Sequence, residues 1–363
     1  MTIEETFRRG IVVKKALGKY TVRTTGGGLM SCTLAGNLGK QLMYSTANPT
    51  SMRKRVLDVK ELATVDPVAV GDDVSYDLAG GGSGVITAVH PRQNKLSRPA
   101  TDGARQFKKS EPREQVIVAN IDQIVVVMPA ANPPPSWALL DRYLATAEAS
   151  DIPPLICFTK ADMLPADRVP TPEKIPADRA PMPDKQAASP AGRLHSEPPL
   201  LREIALYQMI GYRVILTSAL SGLGLAEMKA ALRDRVSVLW GKSGVGKTTL
   251  LNALEPGLGL RVKQVDNHGE GRHTTTHLEM FGLPFGGSVI DTPGQRAFKI
   301  WEEIGDYAQL LPEMRAYLGR CKFGLDCTHT REPGCAIKLA VSTGAITSRR
   351  YESFLGMKEY FGG

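Results

Sequence analysis

The most informative eight residues of this chain are Gly241-Lys242-Ser243-Gly244-Val245-Gly246-Lys247-Thr248. They match the pattern G-x-x-x-x-G-K-T, follow an apolar run at 236–240 and precede a run of helical character at 249–254. A strand, a glycine-rich turn and a helix start are the context in which this pattern binds phosphate, through backbone N–H groups and the positive end of the helix. We therefore predict a nucleotide-binding loop; the alternative is a chance glycine-rich turn.

Two side chains of this loop have expected roles. Lys247 is expected to reach the β- and γ-phosphates, and the Thr248 hydroxyl is expected to bind Mg²⁺. With Thr249 at the start of the helix, residues 241–249 form the predicted phosphate-binding segment.

Length and composition describe a soluble globular protein of two or three domains. The chain has 363 residues, of which 42% are hydrophobic and 23% charged, which is ordinary for such a protein. No apolar run reaches the ~18 residues of a membrane-spanning helix. Residues 1–9 carry charges of both signs and lack the apolar segment of a secretory signal. We expect a cytoplasmic monomer without a membrane partner.

Positive charge is concentrated in the N-terminal third. The net charge is +8, and residues 1–113 hold 18 Lys and Arg against 10 Asp and Glu, a surplus of eight that equals the whole excess. A localised positive field favours a polyanionic partner. Charge alone fits a merely solvated surface equally well.

The same third contains a series of short candidate strands, separated by glycine triplets at 26–28 and 80–82. The candidate strands are 11–13, 20–23, 29–34, 73–78 and 84–89. This spacing favours a small β-barrel or sandwich, and small barrels are a common platform for oligonucleotides. Four aromatic residues either stack on bases or, as is more common, belong to the core: Tyr20, Tyr44, Tyr76 and Phe107.

From about residue 115 the pattern changes to an alternation of strands and helices. Apolar runs at 121–128 and 155–158 are typical of buried parallel strands, and residues 137–149 between them have helical spacing. The alternation continues to the phosphate loop through 200–210, 214–217 and 225–233. It predicts a doubly wound α/β domain.

Residues 165–199 interrupt this alternation. They contain nine prolines and no apolar periodicity, so they cannot bury enough surface to offset the entropy lost on ordering. We expect a mobile surface insertion; a proline-rich docking motif is the less favoured alternative.

Two motifs at strand ends predict that the base is guanine. Thr159-Lys160-Ala161-Asp162 ends the strand at 155–158, and Ser218-Ala219 follows the strand at 214–217. A carboxylate at Asp162 accepts from the N1–H and the N2 amino group of guanine, a donor pair that adenine lacks. Lys160 is expected to lie over the base, and the backbone of Ser218-Ala219 to donate to guanine O6.

Downstream of the phosphate loop, two segments are candidate switches. In Asp291-Thr292-Pro293-Gly294, the Asp is expected to hold Mg²⁺ through water and the Gly294 N–H to sense a γ-phosphate. Residues 271–276, Gly-Arg-His-Thr-Thr-Thr, occupy the place of a first switch. There Thr275, or its neighbour Thr274, would complete the Mg²⁺ shell in the triphosphate state. An exposed loop without this role has the same composition.

A zinc site is predicted near the C-terminus from the spacing Cys321-x₅-Cys327-x-His329-x₅-Cys335. Three thiolates and one imidazole are the four ligands of a closed structural zinc site. The alternative of buried free cysteines is disfavoured because the residues between them are polar. Cys32 and Cys157 stand among apolar residues and are expected in the core.

The order of these motifs, with guanine motifs first, the phosphate loop third and switches last, resembles that of circularly permuted GTPases. Except for 165–199, nearly the whole chain is similar to the ribosome small-subunit-dependent GTPase family (YjeQ/RsgA type). In addition to the phosphate loop, the switch segments and the zinc motif, the resemblance is carried by Gly84-Val85-Ile86 and Pro91-Arg92-Gln93-Asn94-Lys95-Leu96-Ser97-Arg98-Pro99.

The resemblance implies a multidomain architecture. Its parts are an N-terminal OB-like β-barrel (1–113), a circularly permuted P-loop α/β GTPase with its insertion (114–298) and a mostly helical zinc-binding module (299–363). It also implies a GTPase that binds the small ribosomal subunit and its rRNA late in maturation and hydrolyses GTP to GDP with ribosome-stimulated turnover. The implied cofactors are one structural Zn²⁺ and the Mg²⁺ that accompanies GTP.

Two positions depart from the usual motifs. The guanine motif begins with Thr159 rather than Asn, and because threonine cannot offer the same amide to the base and its loop, we expect a lower GTP affinity. Gln295 follows Asp-Thr-Pro-Gly, where the family has an apolar residue and Ras-like GTPases have their water-orienting glutamine. The resemblance instead nominates His273 to position or activate water, so both residues are candidate catalytic groups.

Two other functions stay open on the sequence alone. One is an ATP-using P-loop phosphotransferase, for which Asp162 would be irrelevant. The other is a GTP-binding RNA scaffold without significant turnover.

Overall fold

The computed structural model describes residues 8–16, 18–36, 38, 40–44, 56–61, 67–99, 114–164, 199–258, 278–291 and 304–362. Its strands are β1 (Arg8–Ala16), β2 (Lys19–Thr24), β3 (Leu29–Leu34), β4 (Lys40–Tyr44), β5 (Val56–Glu61), β6 (Asp73–Leu78), β7 (Ser83–Val89), β8 (Lys95–Pro99), β9 (Glu114–Ala119), β10 (Gln123–Pro129), β11 (Pro154–Thr159), β12 (Arg213–Leu216), β13 (Val236–Trp240), β14 (Glu279–Gly282) and β15 (Ser288–Asp291). Its α-helices are α1 (Trp137–Ala149), α2 (Pro199–Ile210), α3 (Leu225–Leu232), α4 (Lys247–Leu254), α5 (Pro312–Arg315), α6 (Ala336–Ser342) and α7 (Ser348–Gly362).

The chain divides into two compact units, and the first contains β1–β9 and β14. Strands β1, β2, β3, β7 and β6 close into a barrel, because β6 pairs with both β7 and β1. All of these pairings are antiparallel except that of β3 with β7. The predicted OB-like barrel is therefore confirmed, and closure leaves its five strands without a free edge in this ring.

Alternating apolar residues fill the barrel. Its buried core consists of Val12, Tyr20, Val22, Cys32, Val68, Val74, Tyr76 and Ile86. Tyr20 and Tyr76 are thus core residues and do not offer faces for stacking on bases, whereas the side chains of Tyr44 and Phe107 lie outside the described residues. Cys32 is 1% exposed, as expected for a core cysteine.

One buried ion pair fastens a loop to this barrel. Arg92 donates from Nε to Asp72 Oδ1 at 2.7 Å and from Nη2 to Asp72 Oδ2 at 2.8 Å. The second carboxylate oxygen also accepts from the Ala69 N–H. Since the Asp72 side chain is fully buried, this fork-shaped pairing satisfies a charge that would otherwise be costly to bury.

The second unit is built on a parallel sheet in the order β12-β11-β10-β13-β15. Strand β10 is buried along its whole length, and β11 along all but its first residue, which explains their continuous apolar sequences. The phosphate-loop strand β13 is central in the sheet although it follows β10, β11 and β12 in the chain. The doubly wound domain predicted from the alternation of strands and helices is confirmed, and helix α1 occupies the predicted residues 137–149.

Residues 165–198 of the predicted insertion lie outside the described part of the chain, and Pro199 begins α2. Among the described residues, no helix combines the length and the apolar character that crossing a membrane requires.

A buried network of charged side chains ties four helices of the second unit together. Asp141 on α1 accepts hydrogen bonds from Tyr207 on α2 at 2.5 Å, from Arg349 at 2.8 Å, and from Arg350. Arg350 also donates from Nε to Glu313 on α5 at 2.5 Å. Arg350 and Asp141 are each 1% exposed, so each charge depends on its partners for solvation.

We predict that Arg350→Ala destabilises the protein strongly. The change leaves Asp141 and Glu313 with an incomplete set of partners in a buried setting, and such a loss costs about 3–5 kcal/mol of the free energy of unfolding. Urea denaturation followed by tryptophan fluorescence measures it.

The matched control is Arg213→Ala. Arg213 lies 3.3 Å from Glu227, and the two side chains are 53% and 50% exposed. Such a pair contributes about 0–1 kcal/mol. Equal losses of stability in the two variants would show that the buried network does not hold the helices together.

Candidate functional site

Four strands of the parallel sheet bring the predicted nucleotide-binding residues to one edge. Strand β13 leads into the phosphate loop, β11 into the motif at 159–162, β12 into Ser218, and β15 ends at Asp291. Because the strands are parallel, these carboxyl ends lie side by side. In open α/β sheets this edge is where ligands bind.

The phosphate loop is shaped by two of its glycines. A Cβ at Gly241 would lie 2.4 Å from the Val127 carbonyl oxygen of the neighbouring strand, so no larger residue fits. Gly246, with φ +98°, has the left-handed backbone that glycine adopts without strain and forms the N-cap of α4. Lys242, Ser243 and Gly244 between them are exposed.

Lys247 and Asp291 form the electrostatic centre of the site. Lys247 is 7% exposed, and its ammonium donates to the carbonyl oxygens of Gly241 at 2.7 Å and Lys242 at 3.1 Å. Burial lowers the pKa of Lys247, and Asp291 opposes that shift; burial raises the pKa of Asp291, and Lys247 opposes it. Each charge therefore stabilises the other inside the site.

The oxygen atoms at this centre suit Mg²⁺. Asp291 Oδ1 is buried and accepts no hydrogen bond from any described residue. The Thr248 hydroxyl belongs to the first turn of α4, and Thr248 is half-buried. A carboxylate and a hydroxyl are the hard oxygen ligands with which Mg²⁺ is held beside a nucleotide.

Thr159 joins the guanine motif to the phosphate loop. Its hydroxyl donates to the Val245 carbonyl oxygen at 2.5 Å, and it lies 3.3 Å from the carbonyl oxygen of Met128. A Cβ at Gly246 would lie 3.4 Å from the same hydroxyl, which shows how closely the two segments pack. Threonine lacks the amide of the usual Asn, yet it retains the link to the loop through its hydroxyl.

Asp162 and Ser218 come together from neighbouring strands. The Ser218 hydroxyl donates to Asp162 Oδ1 at 2.6 Å, and the Ala161 N–H donates to the Thr217 carbonyl oxygen at 3.1 Å. Ser218 in turn accepts from the Ser221 N–H. The carboxylate is thus fixed in one orientation at the same edge as the phosphate loop.

Lys160 has a partner that its sequence motif does not reveal. Its ammonium donates to the Asn132 carbonyl oxygen at 2.7 Å, and its backbone is left-handed with φ +59°. Asn132 lies in the loop after β10, so a third strand end contacts the predicted base-recognition motif. A backbone carbonyl carries no sequence signal, so the sequence does not reveal this contact.

Several predicted residues fall outside the described part of the chain. They are His273, Thr274, Thr275, Gly294 and Gln295. Their predicted roles in water activation, Mg²⁺ binding and γ-phosphate sensing therefore stay predictions.

The four predicted zinc ligands form one buried cluster. The ligand atoms of Cys321, Cys327, His329 and Cys335 all lie within 4.8 Å of one another. Cys321 Sγ is 3.9 Å from Cys335 Sγ, and His329 Nδ1 is 3.5 Å and 3.4 Å from these two sulfur atoms. A tetrahedral ion with Zn–S bonds of ~2.3 Å separates its sulfur ligands by ~3.8 Å. The cluster therefore fits one structural zinc ion.

Asp306 adjoins this cluster although nothing in the sequence singled it out. Its Oδ2 lies 2.9 Å from His329 Nε2. Asp306 stands well before the four ligands in the chain, so no motif spacing connects it to them.

Cys157 is fully buried as expected, and burial raises the pKa of its thiol to about 12.

We predict that Thr159→Val weakens nucleotide binding about 5-fold, because loss of one hydrogen bond to the phosphate loop costs roughly 1 kcal/mol. Valine keeps the shape of threonine and removes only the donor. Titration with a fluorescent GDP analogue measures the affinity.

Thr146→Val is the matched control for this substitution. The Thr146 hydroxyl donates to the Arg142 carbonyl oxygen within α1, and the side chain is buried as well. If Thr159→Val binds GDP as tightly as Thr146→Val, the link between Thr159 and Val245 does not support the nucleotide site.

Comparison with known proteins agrees with this geometry. The profile of the RsgA GTPase family matches residues 89–178 and 194–301. A Bacteroides fragilis protein named small ribosomal subunit biogenesis GTPase RsgA is 34% identical over 356 residues, which are 97% of this chain and 96% of that protein.

Two solved structures have the same fold over nearly their whole length. YjeQ from Thermotoga maritima is 28% identical, with a TM-score of 0.65, and the match covers 98% of this chain and 99% of that one. YloQ, described as a circularly permuted GTPase, is 26% identical, with a TM-score of 0.62, and the match covers 100% and 97% of the two chains. The chain therefore belongs to the RsgA GTPase family.

Proposed function

We propose that this chain is a GTPase that binds the small ribosomal subunit and acts late in its maturation. It hydrolyses GTP to GDP and phosphate, and the subunit stimulates turnover. The observation that carries the proposal is the placement of Asp162, held by Ser218, at the same sheet edge as the phosphate loop. The name small ribosomal subunit biogenesis GTPase, borne by relatives of the chain over nearly its whole length, supports the choice of partner.

Base selection follows from the fixed carboxylate of Asp162. Guanine presents two donors, N1–H and the N2 amino group, to this acceptor. Adenine has no such pair, so ATP would leave the carboxylate without its partners, a mismatch that discriminates strongly. Lys160 covers the base. Of the predicted Ser218-Ala219 pair, the backbone N–H of Ala219 donates to guanine O6, because the Ser218 N–H donates to the Leu223 carbonyl oxygen at 3.0 Å.

Phosphate binding and hydrolysis are assigned to the phosphate loop and the two switches. Residues 241–249 bind the phosphates, and Lys247 neutralises charge on the β- and γ-phosphates. Thr248, Asp291 and, in the triphosphate state, Thr275 would hold Mg²⁺, which would neutralise negative charge on the phosphates. Gly294 senses the γ-phosphate, and His273 or Gln295 positions the attacking water.

The proposed roles divide among three regions of the chain. We assign rRNA binding to the basic barrel region at 1–113, nucleotide turnover to 114–298, and the zinc site to the module at 299–363. The excess of positive charge in the first of these favours a polyanion. A monomer in the cytoplasm, where small subunits mature, fits this role.

The deciding experiment measures hydrolysis of GTP and of ATP with and without purified small ribosomal subunits. We expect GTP turnover to rise by at least 10-fold on addition of small subunits, with no such rise for ATP or on addition of large subunits. GTP binding without stimulated turnover would indicate a scaffold instead, and a preference for ATP would indicate a phosphotransferase. Either result contradicts the proposal.

The same assay under single-turnover conditions separates the two candidate catalytic residues. We expect His273→Ala to slow GTP hydrolysis on the subunit. Gln295→Ala is measured in parallel. An unchanged rate removes that residue from the catalytic step.

A further inference from the structure

His329 is the zinc ligand with the most constrained surroundings. It is 1% exposed, and its Nδ1 faces the sulfur atoms of Cys321 and Cys335 at 3.5 Å and 3.4 Å. The other ring nitrogen, Nε2, points away from the sulfur atoms and toward Asp306. Only Nδ1 is therefore placed to bind the metal, so Nε2 must carry the ring proton when zinc is bound.

We propose that Asp306 is the positioning residue of the zinc site, accepting the Nε2–H proton of His329 and so directing the Nδ1 lone pair at the ion. The Nε2 to Oδ2 distance is 2.9 Å. A carboxylate in this place fixes the orientation and the tautomer of the imidazole and makes it a better ligand. This inference rests on the assignment of zinc to the cluster.

The carboxylate of Asp306 is itself held in place. Its Oδ1 accepts from the Ala308 N–H at 3.0 Å, which caps the short helical turn Tyr307–Leu310. The two oxygens thus have separate partners, one in the turn and one on His329. Binding of zinc therefore stabilises the position of residues 306–310 as well as that of the ligands.

His329 needs this support because its backbone is unfavourable. Its φ of +60° lies in the left-handed region, which costs free energy for a residue with a side chain. The Tyr351 hydroxyl on α7 donates to the His329 carbonyl oxygen at 2.7 Å, and Glu332 accepts from the N–H groups of Thr328 and Thr330. These contacts fix the backbone, whereas Asp306 alone fixes the second ring nitrogen among the described residues.

The test substitutes Asp306 by Ser in the full chain. Serine is a good N-cap and keeps the bond to Ala308, but its shorter side chain cannot reach His329. Removal of such a carboxylate lowers metal affinity about 10- to 100-fold. If this loss comes from faster release, we expect zinc to transfer to the chromophoric chelator 4-(2-pyridylazo)resorcinol about 10-fold faster or more than from the unchanged protein. Asp306→Asn, which keeps an oxygen acceptor, should release zinc at an intermediate rate.

Asp326→Ser is the matched control. Asp326 is an exposed carboxylate immediately before the ligand Cys327, and its removal should leave the release rate unchanged. If Asp306→Ser releases zinc at the rate of the unchanged protein, Asp306 only caps the turn and the inference is wrong. If atomic emission does not find about one zinc per chain in the purified protein, the assignment of zinc to the cluster is wrong. GTP hydrolysis is measured in a separate assay, so the proposed function is tested independently of the zinc site and of Asp306.

Discussion

The hydrogen bond from Thr159 to the Val245 carbonyl oxygen joins the two halves of the nucleotide site. One partner belongs to the guanine motif at the end of β11, and the other to the phosphate loop after β13. Strand β10 lies between these strands, and its Val127 carbonyl packs against Gly241 from the same loop. The distance between the guanine motif and the phosphate loop is therefore set by one intervening strand and these two close contacts.

Circular permutation does not disturb this arrangement. A parallel sheet presents the carboxyl ends of its strands at one edge regardless of their order in the chain. Here the chain forms β10, β11 and β12 before β13, which leads into the phosphate loop, and β15, which ends at Asp291. In the sequence, the four predicted zinc ligands follow β15. Asp306 lies between β15 and these ligands in the chain, and its Oδ2 lies 2.9 Å from His329 Nε2.

The features that the sequence indicated most clearly share a local signal. The glycine-rich loop has fixed spacing, helix α1 has a clear 3.6-residue period, and the zinc ligands follow a Cys and His spacing that few other structures produce. The continuous apolar runs of β10 and β11 likewise identified buried parallel strands. Each of these signals lies within 15 consecutive residues or fewer.

The features that the sequence did not reveal depend on residues distant in the chain. The sequence does not mark Arg350 as a buried residue, but its ion pairs with Asp141 and Glu313 stabilise it in the interior. Asp306 and Asn132 contribute an ordinary carboxylate and a backbone carbonyl, neither of which marks a site in a sequence. Thr159 departs from the usual Asn, and only the distance to Val245 shows that it keeps the contact with the loop. Burial and long-range pairing, which the sequence does not encode locally, decide all four.

In the proposed function, Asp162 recognises guanine at the edge of the sheet that carries the phosphate loop. Replacing this carboxylate by an amide, Asp162→Asn, exchanges one acceptor for a donor. Xanthine, which has a carbonyl oxygen where guanine has its amino group, matches that pattern. Titration with GDP and with xanthosine diphosphate tests the claim directly. We predict that the unchanged protein strongly prefers GDP, and that in Asp162→Asn GDP affinity falls by about 10- to 100-fold while xanthosine diphosphate becomes the preferred ligand. Undiminished GDP affinity in Asp162→Asn would show that Asp162 does not recognise the base.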